Sequence, residues 1–164
     1  MASLSAARIL ETGRTAPVGF AREAAVAVPA TRRLNAALAL LRVIMGAVFL
    51  AHGAQKIFVW GFAGVAGGFA GMGIPLAGVV GPAVALVELL GGLALIFGLL
   101  TRLSGLGLAI IMLGATFLAH FAAGFFLPNG YEFTLTLFAI AATLALTGAG
   151  AYSLDALIAR RAGK

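Results

Sequence analysis

The chain has 164 residues, 62% of them hydrophobic and only 10% charged, with a mean hydropathy of +1.11. Soluble domains hold about 45–50% apolar and about 25% charged residues, so a soluble globular class is excluded and an integral membrane protein is indicated. The net charge of +6 would invite a nucleic-acid role in a soluble chain; here the basic residues flank apolar runs, where they set topology, so nucleic acid is rejected as a partner and the lipid bilayer takes its place. There is no cysteine, which rules out a disulfide, a thiol relay or a thiolate metal site built from this chain alone.

Residues 1–33, "MASLSAARILETGRTAPVGFAREAAVAVPATRR", lack strong apolar periodicity and contain Glu11, Pro17, Glu23 and Pro29. The basic-then-apolar pattern of a secretory signal is absent, so a cytoplasmic, mostly disordered tail is expected, with room for a short surface helix around residues 6–20. Apolar runs of about 20 residues, long enough to cross the ~30 Å hydrocarbon core as helices, then follow at residues 35–58, 76–100, 103–126 and 133–150. Punctuation separates them: Pro75 before the second, "TR" between the second and third, "LPNG" between the third and fourth. The expected fold is all-α, a transmembrane four-helix bundle over residues 34–155 with a basic tail at 156–164.

Between the first two spans, "WGFAGVAGGFAGMGIP" places Phe58, Phe62, Val65, Phe69 and Met72 at alternating spacings of four and three. That stripe suits a helix lying in the outer interface with its apolar side toward lipid. Its many glycines suit an irregular loop equally well, and both readings stand. Gly46, Gly53, Gly81, Gly91 and Gly92 recur within the spans, where small residues let helix backbones approach closely.

Basic residues orient the bundle. Arg8, Arg14, Arg22, Arg32, Arg33, Arg102, Arg160, Arg161 and Lys164 all fall on one side of four crossings, and the opposite loops at 59–75 and 127–132 hold no Lys or Arg. Both termini are therefore expected in the cytoplasm, and the chain is expected to be a multi-pass protein of the inner, or plasma, membrane.

Ionisable residues inside the spans are the candidates for function. At about 100° per residue, Arg42, His52 and Lys56 share one face of the first helix. An ionisable group in a span costs about 2.5–3.5 kcal/mol or more on insertion scales, so that face should turn into the bundle. Counting ~1.5 Å per residue from the cytoplasmic end puts Arg42 about 10 Å deep, Glu88 about 18 Å, His52 and His120 about 25 Å, and Lys56 about 32 Å. Arg42 is thus expected to pair with Glu88. His52, Lys56 and His120 should line an outer polar pocket with Gln55, Asn129, Tyr131 and Glu132, in which Lys56 pairs with Glu132. Each has a blander reading: a buried pair that fixes register for Arg42 and Glu88, a snorkelling Lys56, a helix-capping Glu132, a core His120.

The matched depth of His52 and His120 is the minimum for an axial haem pair, and nothing else in the sequence asks for haem. The carboxylates and histidines also lack the Glu-x-x-His spacing of bundle metal sites, so no metal is assigned.

Several patches carry a family likeness: "LRVIMGAVFLAHGAQKIF" in the first span, "GMGIP" leading into "VELLGGLALIFGLLTRLSG", and "GYEF" with "GAGAYSLD" around the fourth. Over residues 38–155 the sequence resembles the DoxX family, and Ala149 stands where that family commonly has Pro. The resemblance implies a four-helix inner-membrane protein, in some members linked to quinone-coupled oxidation of reduced sulfur and in others to oxidant or quinone stress; it supplies no catalytic residue.

The leading functional expectation is an accessory subunit of a quinone-linked redox system, partnered by an oxidoreductase, in which Arg42, His52, Lys56, Glu88, His120 and Glu132 surround a quinone headgroup. Carbonyl oxygens accept bonds from Lys, Arg or His, and His or a carboxylate can exchange the accompanying protons. A non-enzymatic membrane scaffold or assembly factor is the alternative. A small-solute or proton carrier is a second alternative, for which the absence of an internal repeat is a poor sign.

Overall fold

The computed structural model describes the backbone of residues 18–163 and the side chains of residues 31–163. Among the described residues every regular element is helical: α1 (Val18–Ala54), α2 (Gly61–Gly71), α3 (Ala77–Phe97), α4 (Thr101–Gly114), α5 (Glu132–Thr147) and α6 (Leu154–Ala162). Two of the junctions are π-helical. Helix α1 passes into α2 through a π turn at Gln55–Trp60, and α4 continues as a π turn at Ala115–His120 before a 3-10 turn at Phe121–Ala123.

A backbone in hydrocarbon must satisfy its own polar groups, which is why these apolar runs are helices. Three continuous helical stretches are long and apolar enough to cross a membrane: Thr31–Gly71, Ala77–Phe97 and Thr101–Ala123. Helix α5 is apolar but shorter, at 16 residues, or about 24 Å. The chain is accordingly an all-helical, multi-pass membrane protein.

Two expectations change. The first helix begins at Val18, well upstream of residue 35; the alanine-rich stretch before Thr31 favours helix even where it is too polar for a span. The remaining tail, and most of the anticipated 6–20 helix, lie outside the described residues. The glycine-rich segment after the first span is also helical, so its irregular-loop reading fails, and its stripe does not simply face outward: Val65 is buried and packs at Gly81 of α3.

Contacts divide the chain into two units, Met1–Leu34 and Asn35–Lys164, of which the second holds the bundle. There α3 packs against α2 and α4, and α4 against α5. The core joins Met45 and Phe49 of α1, Leu95 of α3, Leu108 and Met112 of α4, and Leu137 and Leu144 of α5. Helices α1 and α3 meet backbone to backbone: a Cβ added at Gly92 would stand 2.4 Å from the Leu50 nitrogen, and one at Gly53 would stand 2.3 Å from the Leu89 nitrogen. Only glycine fits such a crossing.

Helix α3 ends at Gly98, whose φ of 67° is in the left-handed region. Its N–H reaches the Leu95 carbonyl at 3.1 Å while Leu99 N–H reaches the Ala94 carbonyl at 2.9 Å. That closure turns the chain directly into α4.

Candidate functional site

The polar residues of the spans separate into two groups at opposite ends of the bundle. At the end carrying α6, Arg42 is buried, with 3% of its surface exposed. One guanidinium nitrogen, Nη1, donates to the carbonyls of Leu95 at 2.9 Å and Ile96 at 3.0 Å, and Nη2 donates to the Tyr152 carbonyl at 2.6 Å. Carbonyls at a helix C-terminus lack intrahelical partners and carry the negative end of the helix dipole, so a fixed cation there serves structure. Gly98 leaves the room it needs, since a Cβ at that position would stand 2.2 Å from Arg42 Nη1.

The "SLD" element completes this end. Asp155 accepts from the N–H groups of Leu100 at 2.8 Å and Thr101 at 2.9 Å, so it caps the start of α4 from more than fifty residues away. Ser153 caps its own helix by accepting from Ala156 N–H at 3.2 Å, and Asn35 accepts from Ala151 N–H at 2.9 Å. The closing segment is thereby tied to α1, α3 and α4.

Toward the other end lies a cavity of about 560 Å³, within the range of ligand pockets. Its polar wall consists of His52, Lys56, Glu88, His120 and Thr134, and the rest is apolar, with Phe49 from α1, Phe69 and Met72 from the α2 region, and Phe133 from α5. Ile110 and Leu118, both more than half exposed, also line it, so part of its wall is made of apolar side chains at the outer surface of the bundle.

Lys56 Nζ donates to Glu88 Oε2, forming an ion pair whose carboxylate side is 4% exposed. The expected pairs, Arg42 with Glu88 and Lys56 with Glu132, are both corrected. The depth count took residue 35 as the level at which span one enters the membrane, but Gly46 lies at the level of Gly92 and Ile96, and Gly53 at that of Leu89, so α1 is set further toward the α6 end than that count placed it. Arg42 consequently reaches only the C-terminal end of α3, and Lys56 comes level with Glu88. Glu132 turns to its own loop, accepting from Leu127 N–H at 2.8 Å.

Of the six candidates, the structure brings His52, Lys56, Glu88 and His120 to one cavity and leaves Arg42 and Glu132 outside it. His120 Nδ1 lies 2.9 Å from the Asn129 carbonyl. Tyr131 stacks on Phe121 with ring centroids 5.4 Å apart, so it braces the loop and does not line the cavity. Thr134 bonds to Thr116 at 2.9 Å beneath it.

Sequence reasoning missed the two π turns, which carry Lys56 and His120 into the cavity from different helices. Such turns cluster at functional sites because the extra residue redirects side chains. Composition gives no signal for them. It also missed α2 as a cavity wall, although the Phe69 and Met72 stripe was visible.

Two family profiles match the chain: DoxX over residues 37–121 and, overlapping it, one described as TQO small subunit DoxD over residues 82–164. A Bacillus subtilis (strain 168) protein named "Putative oxidoreductase CatD" is 34% identical over 120 residues, covering 73% of this chain and 84% of the relative. The Escherichia coli (strain K12) protein named "Inner membrane protein YqjF" is 37% identical over 124 residues, covering 73% of this chain and 90% of the relative. No solved structure matches.

Proposed function

From the premise that the chain belongs to the DoxX family, we propose that this membrane protein is an accessory subunit of a quinone-linked redox system and that its cavity receives a quinone headgroup. The observation that carries the reading is the Lys56–Glu88 pair set in the wall of an otherwise apolar cavity with two histidines beside it. A flat ring suits the apolar walls, Lys56 can donate to a ring oxygen while Glu88 holds the ammonium in place, and His52 or His120 can exchange protons. A wall that includes exposed apolar residues such as Ile110 and Leu118 suits a ligand that arrives dissolved in lipid. One relative's name, with its word oxidoreductase, and the TQO description of a family profile point the same way.

Arg102, Arg160 and Arg161 lie at the α6 end, so by the positive-inside rule that end is the cytoplasmic one and the cavity belongs to the outer half of the bilayer. The test uses Trp60, the only tryptophan of the chain, which lines the cavity. Titrating the purified protein with a short-chain ubiquinone should quench its fluorescence saturably, and Lys56→Met should weaken that binding about tenfold, the scale of one lost hydrogen bond to a charged group. Quenching that stays linear with quinone, alike in wild type and variant, would show partition into lipid and defeat the proposal.

The scaffold reading is favoured by a different observation, the Arg42 and Asp155 anchors, which tie helices together and lie outside this cavity. Under it, replacing Lys56 and Glu88 together by apolar residues should leave a folded and fully functional protein.

A further inference from the structure

The cavity distinguishes between the two redox forms of its ligand by the hydrogen atoms that ligand brings. This inference rests on the quinone reading and deepens it. His120 Nδ1 faces the backbone carbonyl of Asn129 at 2.9 Å, and a carbonyl can only accept. The proton of the neutral imidazole must then sit on Nδ1, which leaves Nε2 as a bare acceptor. Nε2 has no protein partner among the described residues. Glu88 is in a similar state: Oε2 takes the Lys56 bond, while Oε1 has no hydrogen-bond partner among the described residues. Two acceptors on cavity-lining residues thus have no donor within the protein among the described residues.

We propose that the cavity selects the reduced, dihydroxy form of a lipid-soluble quinone, with His120 Nε2 as the specificity-determining acceptor and the Asn129 carbonyl as the group that positions it. A quinone presents acceptors alone, so it can satisfy Lys56 but must leave both Glu88 Oε1 and His120 Nε2 unmatched. A quinol hydroxyl donates through its hydrogen and accepts through its oxygen, and so it serves Lys56 and the acceptors together. An acceptor desolvated without a donor weakens binding more than the bond itself strengthens it, which makes the mismatch, and not the match, the source of selectivity.

Calorimetry on the full chain in lipid nanodiscs, with empty nanodiscs as the partition control, tests this anaerobically with three probes: decyl-ubiquinol, decyl-ubiquinone and the dimethyl ether of the quinol. The quinol should bind at least about tenfold more tightly than the quinone, and the dimethyl ether, which lacks both hydroxyl hydrogens, should lose that advantage. His120→Phe should reduce the quinol preference several-fold, chiefly by raising quinone affinity, because the acceptor that a quinone leaves unmatched is gone. The wild-type comparison of the three probes needs no variant, so a misfolded His120→Phe does not remove the test. Equal affinities for quinol and quinone, or a dimethyl ether that binds as well as the quinol, overturn the selectivity while leaving the cavity a quinone site. Heats no different from empty nanodiscs for all three probes overturn the quinone reading itself.

Discussion

Lys56 and Glu88, 32 residues apart and on different helices, form one ion pair across the crossing of the first two spans. They can meet because Gly46, Gly53 and Gly92 bring the two backbones together just below them, on the α6 side of the pair. The pair is set in a cavity wall, where its cost of desolvation is compensated by geometry alone. Removing one partner leaves the other charge buried and unmatched. Lys56→Met or Glu88→Leu alone should therefore destabilise the protein by about 3–5 kcal/mol, whereas the double variant should return close to wild-type stability. Thermal unfolding of the four proteins in one detergent, arranged as a double-mutant cycle, checks this. Single-variant effects that simply add would mean the two charges do not depend on one another.

Close approach of α1 and α3 makes a second expectation. A methyl group at Gly53 would collide with the backbone of Leu89, while one at Gly114 would meet nothing within 4 Å. Gly53→Ala should accordingly lower stability by about 1–3 kcal/mol through forced separation of the helices. Gly114→Ala, in a helix interior with open space around it, should be neutral or slightly stabilising. The two variants add the same atom to the same kind of residue, so unfolding midpoints that fall together in both would refute the packing argument.

The difference between these glycines was not legible in the sequence, and neither was the partner of Glu88. Apolar run length revealed the helices, and charge on one face of α1 revealed that His52 and Lys56 share a side, which the structure sets along the cavity. Pairing needs axial register to within a turn, and register is set by backbone contacts such as Gly53 against Leu89, which run length does not reveal; residue 35 is only the hydropathy boundary of a helix that continues upstream. Arg42 was misplaced for the same reason. The π turns at residues 55–60 and 115–120 were invisible because a one-residue expansion of the helix leaves no mark in composition. Asp155 was legible only as part of a family motif: its role as a cap on α4 depends on a contact that spans 54 residues.

Orientation can be read by labelling, because the chain contains no cysteine to interfere. Asn129 is exposed in the loop before α5, and Gly163 is exposed at the end of α6. A single Asn129→Cys should react in intact cells with a membrane-impermeant maleimide. A single Gly163→Cys should react only after the cells are opened. The reverse pattern would place the cavity in the cytoplasmic half of the bilayer and invert the topology expected from Arg102, Arg160 and Arg161.

Arg42 offers a test that separates shape from charge. Its guanidinium fork spans the carbonyls of Leu95, Ile96 and Tyr152, which belong to α3 and to the segment leading into α6. Lysine keeps the charge but concentrates its three donors on one nitrogen, so it cannot reach carbonyls on both sides of the gap with the same geometry. Arg42→Lys should cost about 1–3 kcal/mol, the range for leaving a buried acceptor unmatched, and Arg42→Met, which abandons all three, should cost more. The loss should also be local: α6 rests on the Tyr152 and Asp155 contacts, so backbone amides from Ser153 to Ala156 should exchange faster with deuterium while those lining the cavity around Glu88 keep their protection. Faster exchange spread evenly through α3 and α4 would instead make Arg42 part of the core that supports the cavity.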